Sequence, residues 1–290
     1  MINSQRNKLD NYWFLKSIFN YFVRSIGNWT TKKCPKKKFG QKNKKEDLVV
    51  FPQQSRDFLS IYPENSYCNE CIVSVMIGNL LGDGYAEKRK GSTRITFHLR
   101  LSNAEYIQWF SDFFSTQGYS SGNSIILKKQ IGSKGKPYFS VKIRTYSSPT
   151  LNFLRSLFYL RLPFNYSVSN QRNRQLYRKV IPDCIQNLFT PLVLATWCTN
   201  NGSSENKNFF LLINNFSYYD ILLLQKVLLQ KYRLKTVFHK GTKNKIYPSR
   251  YPIVEGRLYF SKEESLKLYK IIKPHIHKSM FYKFKNFINP

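Results

Sequence analysis

The sequence predicts an α+β protein made of two pseudo-symmetric halves, each with the element order α-β-β-α-β-β-α. From about residue 69 the chain passes twice through the same series of apolar helix, alternating strand and amphipathic helix. Each series opens with an apolar helix that ends at glycine, in the first pass at Gly82 and Gly84 and in the second at Gly202. Because each sheet has one apolar face, helices must cover that side. The two antiparallel sheets are therefore expected to form a saddle with a concave basic surface.

The first half, residues 69–161, is expected to open with the apolar helix in CIVSVMIGNLLGDGY. In the segment 93–101 apolar and polar side chains alternate strictly, which predicts a strand. One face of this strand is expected to carry Ile95, Phe97, Leu99 and Leu101, and the other Arg94, Thr96, His98 and Arg100. The remaining elements are a helix from Asn103, strands over 125–131 and 138–145, and a helix capped by Ser148 before Pro149.

The second half, residues 190–290, repeats this order. Thr190 and Pro191 predict the start of its apolar helix. Strands are expected over 209–214, near 234–240 and over 254–260. Two helix starts are marked by serine with an acid three residues later: Ser217 with Asp220 resembles a capping box, and Ser261 with Glu264 is a fuller one. Pro274 is expected to stop the last helix.

Two further segments lie outside the repeated plan. The N-terminal extension, 1–68, contains an aromatic stretch at 12–29 that is either a helix packed on the main domain or a transit segment bearing Arg and Lys. Its lysine-rich run at 32–45 is typical of a solvated linker and can also contact phosphates. The connector between the halves, 162–189, is basic.

The net charge of the chain restricts its partners. Lys and Arg number 47 against 16 Asp and Glu, which gives a formal charge of +31 at pH 7. Such an excess is costly through self-repulsion unless a polyanion neutralises it, and nucleic acid is the leading candidate. A membrane surface is the rival partner, although no uncharged apolar stretch of about 18 residues predicts a spanning helix. The five cysteines lack the spacing of a disulfide framework, and the pair Cys68 and Cys71 has no second pair to complete a zinc site.

Two short segments give the sequence a specific resemblance. MIGNLLGDG, over 76–84, and LATWCTNNG, over 194–202, resemble the first and second motifs of the LAGLIDADG homing endonuclease family, in its double-motif single-chain type. The flanking segments KVIPDCIQNLFTPLVLATW, NNFSYYDILLLQKVL and IIKPHIHKSMFYKF resemble the organellar intron-encoded endonucleases and maturases of that family. The resemblance covers about residues 70–285.

The resemblance implies a metal-dependent site where the two motif helices end. Asp83 is the expected catalytic acid and, with Gly82, the expected ligand of Mg²⁺, since this hard cation prefers oxygen ligands. At the position of the second acid the chain has Asn201, preceded by Asn200, where the family usually shows two aspartates. Asn201 is therefore a degenerate catalytic and metal position that offers a neutral oxygen, and cleavage is expected to be impaired. Glu205 is the alternative source of a second acid.

The nucleic-acid-binding residues are expected on the polar face of the first sheet, because a two-stranded ribbon fits the major groove of duplex DNA. They are Arg94, Thr96, His98, Arg100, Lys142 and Arg144. Arg144 is also the candidate for the basic catalytic group that the resemblance implies, and a simple phosphate contact is the alternative for it. The second sheet offers Phe210 and Leu212 at comparable positions, which predicts weaker reading of a duplex. His275 and His277 are interpreted as structural residues.

Three functions are compatible with these observations. The first is a DNA endonuclease that recognises a long duplex site and needs Mg²⁺, and the intact Asp83 favours it. The second is a non-cleaving maturase that helps intron RNA to splice, and the third is an interaction protein of an organellar ribonucleoprotein; the two asparagines favour both. We expect a monomer without a membrane partner. Residue types with AT-rich codons indicate an organellar gene. We expect the organelle to be the mitochondrion rather than the plastid.

Overall fold

The computed structural model describes residues 69–100, 104–121, 125–131, 135, 137–161, 177–241 and 253–288. The N-terminal extension with its aromatic and lysine-rich stretches lies outside these ranges, as do Cys68, Leu101 and residues 162–176 of the connector. By its internal contacts the chain divides into two compact units, residues 1–72 with 99–145 and residues 73–98 with 146–290. The predicted division at 161 and 190, and the predicted saddle, stay predictions.

The elements of the first half follow the predicted order. They are α1 (Asn69–Leu81), β1 (Tyr85–Arg89), β2 (Ser92–Arg100), α2 (Ala104–Thr116), β3 (Ile126–Ile131), β4 (Pro137–Arg144), a 3-10 turn (Pro149–Leu151) and α3 (Asn152–Phe158). The side chain of Ser148 accepts a hydrogen bond from the amide of Thr150, which confirms its predicted capping role. The last helix of this half begins as a 3-10 turn.

The second half repeats the same order. Its elements are α5 (Pro191–Asn201), β7 (Gly202–Glu205), β8 (Asn208–Ser217), α6 (Tyr218–Tyr232), β9 (Val237–Lys240), β10 (Ile253–Phe260) and α7 (Lys262–Ile272). Between the halves lie β5 (Tyr159–Arg161), β6 (Tyr177–Lys179) and the short helix α4 (Ile185–Leu188). After α7 come two 3-10 segments, Lys273–His275 and Lys278–Lys283, and the helix α8 (Lys285–Ile288). The α+β class and the α-β-β-α-β-β-α order are confirmed.

The smaller unit contains α2 and the antiparallel hairpin of β3 and β4. Its core is aromatic: Phe110 and Phe114 of α2 are completely buried, and their ring centroids lie 5.1 Å apart. Val141 and Ile143 of β4 are also completely buried, whereas Phe139, earlier on the same face of the strand, is 44% exposed. Burial of such side chains contributes about 1.5–3 kcal/mol each.

The larger unit contains an antiparallel sheet with the strand order β7-β8-β10-β9. Leu258 of β10 pairs with Leu211 of β8 on one side and with Phe238 of β9 on the other. Along β8 the side chains of Phe209, Leu211 and Ile213 are buried on the core face, whereas Leu212 is 40% exposed. The face of the sheet that carries Phe209, Leu211 and Ile213 is therefore its core face, which α5 and α7 help to cover.

The same unit holds the hairpin of β1 and β2, in which Tyr85 pairs with Thr96. Helix α3 packs against β1, and the backbone of Thr93 forms a bridge with Ser148. Strands β5 and β6 form a separate two-stranded ribbon. No strand was expected here, because a three-residue strand is too short to show alternation.

Of the two predicted capping boxes, only the one at the start of α6 forms both of its hydrogen bonds. Ser217 and Asp220 form the complete capping box, with both reciprocal bonds present. At α7 the hydroxyl of Ser261 accepts from the amide of Glu264, but the Glu264 carboxylate accepts from the backbone amide of Lys235 at 2.9 Å. The longer side chain of Glu264 thus reaches a neighbouring segment, while Asp220 turns back on its own helix.

Among the described residues, no helix has both the length and the apolar character needed to cross a bilayer.

Candidate active centre

Helices α1 and α5 pack closely at Gly78. A Cβ atom built on Gly78 would lie 2.6 Å from the Cβ of Thr196 and 2.7 Å from the carbonyl oxygen of Val193. Contacts this short do not occur with real side chains, so the crossing requires glycine. The hydroxyl of Thr190, which caps the start of α5, donates to Oγ of Ser74 in the middle of α1 at 3.1 Å. The two motif helices therefore run side by side in the same direction.

The C-terminal ends of these helices bring Asp83 and Asn201 together. The amides of Gly82 and Gly84 both donate to the carbonyl of Asn79, at 3.0 and 2.9 Å, and this turn leaves Asp83 exposed to solvent. Asn201 is the last residue of α5 and is 8% exposed. Its Nδ2 lies 3.4 Å from Oδ1 of Asp83, a long hydrogen bond. The two positions predicted from separate motifs thus face each other.

Gly82 makes room for the asparagine. A Cβ atom at Gly82 would overlap Oδ1 of Asn201, so only glycine fits opposite this amide. Within the described part of the chain, Oδ1 of Asn201 is buried and accepts no hydrogen bond. The centre therefore combines one carboxylate with a neutral amide whose oxygen is available to a further donor or cation.

Asn200, the other residue where an aspartate was expected, faces a different partner. Its Nδ2 donates to Oδ1 of Asn79 at 2.7 Å, and Nδ2 of Asn79 donates to the carbonyl of Val75 at 2.8 Å. This chain of amide bonds joins α1 to α5 and is partly shielded from water. Asn200 therefore holds the helix pair together.

Two lysines that no sequence motif predicts bind the ends of the motif helices. Nζ of Lys179, in β6, donates to the carbonyls of Gly82 and Gly84 at 2.7 and 2.9 Å. Nζ of Lys283 donates to the carbonyls of Thr199 and Gly202 at 2.6 and 3.1 Å. Each helix end thus receives one cation, which favours its partial negative charge. The only available signal was their place in the flanking segments KVIPDCIQNLFTPLVLATW and IIKPHIHKSMFYKF.

The environment of Lys179 is electrostatically unusual. Burial lowers its pKa from 10.5 to about 7, and the nearby carboxylate of Asp83 opposes this shift. Its ammonium also lies 5.7 Å from the centre of the Phe216 ring. Around neutral pH, Lys179 is therefore close to its midpoint of protonation. In the other half, burial raises the pKa of the Cys198 thiol, and Lys283 opposes this, so Cys198 stays neutral.

The donors at the centre fit one magnesium ion with a single charged ligand. Asp83 supplies the carboxylate, and Oδ1 of Asn201 is a neutral oxygen that is not otherwise used. The carbonyl of Gly82, expected as a ligand, already accepts a hydrogen bond from Lys179. In the described ranges, no cluster of three or more His, Cys, Asp or Glu side chains is present. A centre held by two carboxylates is not formed by these residues.

The residues expected to bind nucleic acid lie on β2 and β4, in varied environments. Arg94 is half-buried and pairs with Glu87 at 2.6 Å. Thr96 is completely buried, and the ring of half-buried His98 lies 5.6 Å from that of Tyr85. Lys142 is 8% exposed and Arg144 is half-buried, while the side chain of Arg100 lies outside the described part of the chain. Their contact with nucleic acid, and the catalytic role of Arg144, stay predictions.

Two other candidate residues have structural partners. Glu205, considered as a substitute acid, is exposed on β7 and lies 3.4 Å from Arg257. Nδ1 of His277 accepts from the amide of Ser279 and caps a 3-10 segment. Burial and Lys278 lower the pKa of His277 to about 4, so it is neutral at physiological pH.

A repeated α-β-β-α-β-β-α chain whose two apolar helices meet at a carboxylate defines the class of LAGLIDADG-type nucleases and their relatives. The family model described as the LAGLIDADG DNA endonuclease family matches residues 73–268. The chain belongs to this family.

Known proteins similar to the chain include mRNA maturases and an intron-encoded endonuclease. It is 33% identical over 222 residues, 76% of the chain, to the cytochrome b mRNA maturase bI2 of Saccharomyces cerevisiae. It is 29% identical over 75% of its length to the protein of the same name in Debaryomyces hansenii, spanning 74% of that protein. It is 23% identical over 59% of its length to the intron-encoded endonuclease ai4 of Dictyostelium discoideum, spanning 96% of that protein. The match spans 48%, about half, of the Saccharomyces maturase.

A solved structure supports the fold. The homing endonuclease I-WcaI, bound to its DNA recognition sequence, superposes with a TM-score of 0.58 at 18% identity. The match covers 82% of this chain and 96% of that one. Similarity at this identity establishes the fold alone.

Proposed function

We propose that this protein binds intron-related nucleic acid with the LAGLIDADG fold and that its Mg²⁺-dependent cleavage of duplex DNA is impaired. One observation carries the proposal: Asp83 faces the amide of Asn201 at 3.4 Å, where the family places a second acid. The net charge of +31 supports the binding half of the proposal, because a polyanion relieves the self-repulsion of the chain.

The residues of the centre account for the impairment in two ways. The change from a carboxylate to an amide removes one negative charge that would hold a cation. The Asn201 amide also donates to Oδ1 of Asp83, so it competes with a cation for that oxygen. Magnesium bound at Asp83 would stabilise charge on the attacking and leaving oxygens of a phosphodiester. A loss of several kcal/mol of transition-state stabilisation corresponds to a roughly hundredfold to ten-thousandfold loss of rate.

We propose that basic residues of the first sheet bind the nucleic acid. In the proposal Arg94, Arg100 and Lys142 face the nucleic acid, and Arg144 contacts a phosphate near the reacting group. Lys179 and Lys283 hold the helix ends through carbonyl hydrogen bonds, and they thereby fix the direction in which Asp83 and Asn201 point. The protein acts as a monomer, since one chain contains both motif helices.

A second candidate function is RNA splicing by a maturase that does not cleave. Two relatives are named cytochrome b mRNA maturases, and a splicing factor needs no second acid. The partner would then be intron RNA. In either function we propose an organellar location, mitochondrial rather than plastid. The abundance of residue types with AT-rich codons supports the organellar part of this proposal.

The cleavage proposal is tested on duplex DNA that spans the insertion site of the protein's own gene, with Mg²⁺ present. The unaltered protein, Asn201→Asp, Asp83→Asn and the double variant are compared, and nicks are scored on each strand. We expect little or no nicking from the unaltered protein, a gain with Asn201→Asp, and no cleavage by either variant that lacks the Asp83 carboxylate. Efficient cutting of both strands by the unaltered protein would contradict the proposal, because the missing acid would then be supplied elsewhere.

Splicing is tested separately with the protein's own intron RNA. If the second function holds, the unaltered protein and Asp83→Asn accelerate splicing equally, because the carboxylate has no role in it. Asn200→Leu is the matched control, since it removes the hydrogen bond to Asn79 and loosens the helix pair. Equal absence of acceleration in every protein would rule out the maturase function.

A further inference from the structure

A basic cavity lies between the β1–β2 hairpin, α3 and the β5–β6 ribbon. Its volume is about 380 Å³, and its lining residues are Lys88, Gly91, Ser92, Asn152, Arg155, Ser156, Tyr159, Arg161 and Tyr177. None of these residues belongs to α1 or α5, which form the centre around Asp83. The volume lies at the lower end of the range of about 300–1,000 Å³ that small-molecule sites occupy.

The charge of this cavity is one-sided. Lys88, Arg155 and Arg161 line it, and none of the described residues around it is acidic. The neighbouring acid, Glu87, pairs instead with Arg89 at 3.0 Å and with Arg94 at 2.6 Å. Since successive residues of a strand point to opposite faces, Glu87 lies on the other side of β1 from Lys88. The cavity therefore favours an anionic ligand.

Arg155 is held in place before any ligand binds. Its guanidinium donates to the carbonyl of Ala86 at 2.6 Å and lies 4.9 Å from the ring centre of Tyr159 and 4.5 Å from that of Tyr177. The Tyr159 hydroxyl accepts from the amide of Ala86 at 3.0 Å, so the ring is also fixed. Cation–π contacts of this kind orient the guanidinium, and a pre-organised site loses less entropy on binding.

Cations beside aromatic rings are the chemistry that recognises a nucleotide. Lysine and arginine bind phosphate, and a tyrosine ring or guanidinium plane stacks on a base. Bases in a duplex are already stacked on one another, so a concave site with aromatic walls accepts an unpaired nucleotide. We propose that this cavity binds one unpaired nucleotide of a single strand, with Lys88 and Arg161 on its phosphate and the Tyr177 ring, beside Arg155, stacked on its base.

The inference deepens the proposed function, because it rests on nucleic-acid binding and names an unpaired strand as a second ligand. It is independent of cleavage, since no residue of the cavity belongs to the helix ends that carry Asp83 and Asn201. Failure of the cleavage experiment and failure of the cavity experiment can thus be told apart.

The first test removes the two exposed cations of the cavity. Binding of a fluorescent twelve-nucleotide oligouridylate to the full chain is measured by anisotropy over a series of salt concentrations. We expect Lys88→Ala with Arg161→Ala to weaken binding at least tenfold and to lower the salt slope by about 0.7, the value for the one phosphate of a single strand that both cations contact. An oligothymidylate of the same length shows whether the 2′-hydroxyl contributes.

Lys262→Ala with Lys270→Ala is the matched control, because it removes the same charge from exposed positions on α7. We expect this control to weaken oligouridylate binding less than threefold. Equal losses in the two double variants would overturn the proposal, since a general charge effect would then explain them. A loss in the cavity variant that is as large for a duplex of the same length would also overturn it.

The second test addresses stacking. Tyr177→Leu should weaken oligouridylate binding about five- to a hundredfold, the range found when a stacking ring is removed, while Tyr177→Phe should bind like the unaltered protein. If Tyr177→Leu does not fold, photo-crosslinking of 4-thiouridine RNA to the unaltered protein decides. A crosslink within 152–161 or 177–179 supports the site, and crosslinks only elsewhere exclude it.

Discussion

At the scale of single residues, the charges around Asp83 decide what the centre can hold. Asp83 contributes one negative charge, and Lys179 contributes a positive charge that is partly lost near neutral pH because burial lowers its pKa to about 7. A second carboxylate at position 201 would stabilise the protonated lysine further. The change to Asn201 therefore affects two neighbours, the cation-binding carboxylate and the buried ammonium.

Lys179 predicts a specific dependence of stability on pH. Between pH 7 and its ordinary pKa of 10.5, Lys179 holds a proton in the unfolded chain but loses it in the fold. The unfolded state then binds more protons, so the contribution of Lys179 to the free energy of unfolding rises with pH across this window, by up to about 1.4 kcal/mol per pH unit. We expect Lys179→Met to lose this rise, measured by urea unfolding at pH 7.5 and 9. Lys262→Met, at an exposed site, should keep the rise of the unfolding free energy with pH. The same rise in Lys179→Met would show that Lys179 is not its source.

The sequence reveals some residues of the centre and hides others for a physical reason. Asp83 and Asn201 could be predicted because each lies inside a motif whose apolar helix and terminal glycine are local features. Lys179 and Lys283 could not, since their role depends on carbonyls that lie 97 and 84 residues away along the chain. A lysine in a basic sequence carries no mark that distinguishes a buried ammonium from a solvated one.

At the scale of elements, alternation and capping predicted the order of helices and strands well. Thr190 caps α5 and Ser217 caps α6, as expected. The ribbon of β5 and β6 was missed because each strand has three residues, and its stability comes from pairing between distant segments. Local patterns therefore predict elements that bury one face and miss those that depend only on a partner.

Through its carboxylate, Asp220 connects the start of α6 to Ile181 and Arg178. Its carboxylate accepts from the amide and hydroxyl of Ser217, at 2.8 and 2.6 Å, and from the amide of Ile181 at 3.0 Å. It also lies 3.6 Å from Arg178, and the residue is 2% exposed. Asp220→Ala leaves several buried donors without an acceptor, so we expect a loss of about 3–5 kcal/mol in urea unfolding.

Ser217→Ala is the control for this measurement. It removes the cap but leaves the other partners of Asp220, and we expect a loss of about 1 kcal/mol. Equal losses in the two variants would show that Asp220 serves only as part of the cap.

The two sheets are predicted to differ in their contribution to binding. Arg94→Ala with Lys142→Ala should weaken binding of duplex DNA by about 2–4 kcal/mol, given about 1–3 kcal/mol for each good polar contact. Phe210→Ala with Leu212→Ala, on the second sheet, should have a smaller effect on affinity. Titration with one labelled duplex compares both variants. If the first double variant binds like the unaltered protein, Arg94 and Lys142 do not face the ligand.

At the scale of the whole molecule, the charge of +31 is the dominant property. Each phosphate that a lysine or arginine neutralises releases condensed counterions, so the affinity depends on the salt concentration. We expect the logarithm of the association constant for duplex DNA to fall linearly with the logarithm of the salt concentration. A slope of about −5 or steeper would indicate at least about six phosphate contacts. A flat response between 50 and 200 mM salt would show that charge does not drive binding.

The positions of Lys179 and Lys283 along the chain also determine when the ends of the two motif helices can be completed. A ribosome makes the chain from its N-terminus at roughly 5–20 residues per second. Lys179 follows Gly82 by 97 residues, and Lys283 follows Thr199 by 84. The carbonyls that end α1 are therefore made roughly 5–19 seconds before Lys179, and those that end α5 roughly 4–17 seconds before Lys283. The ends of both motif helices can therefore be completed only after the segment that contains Lys283 has been made.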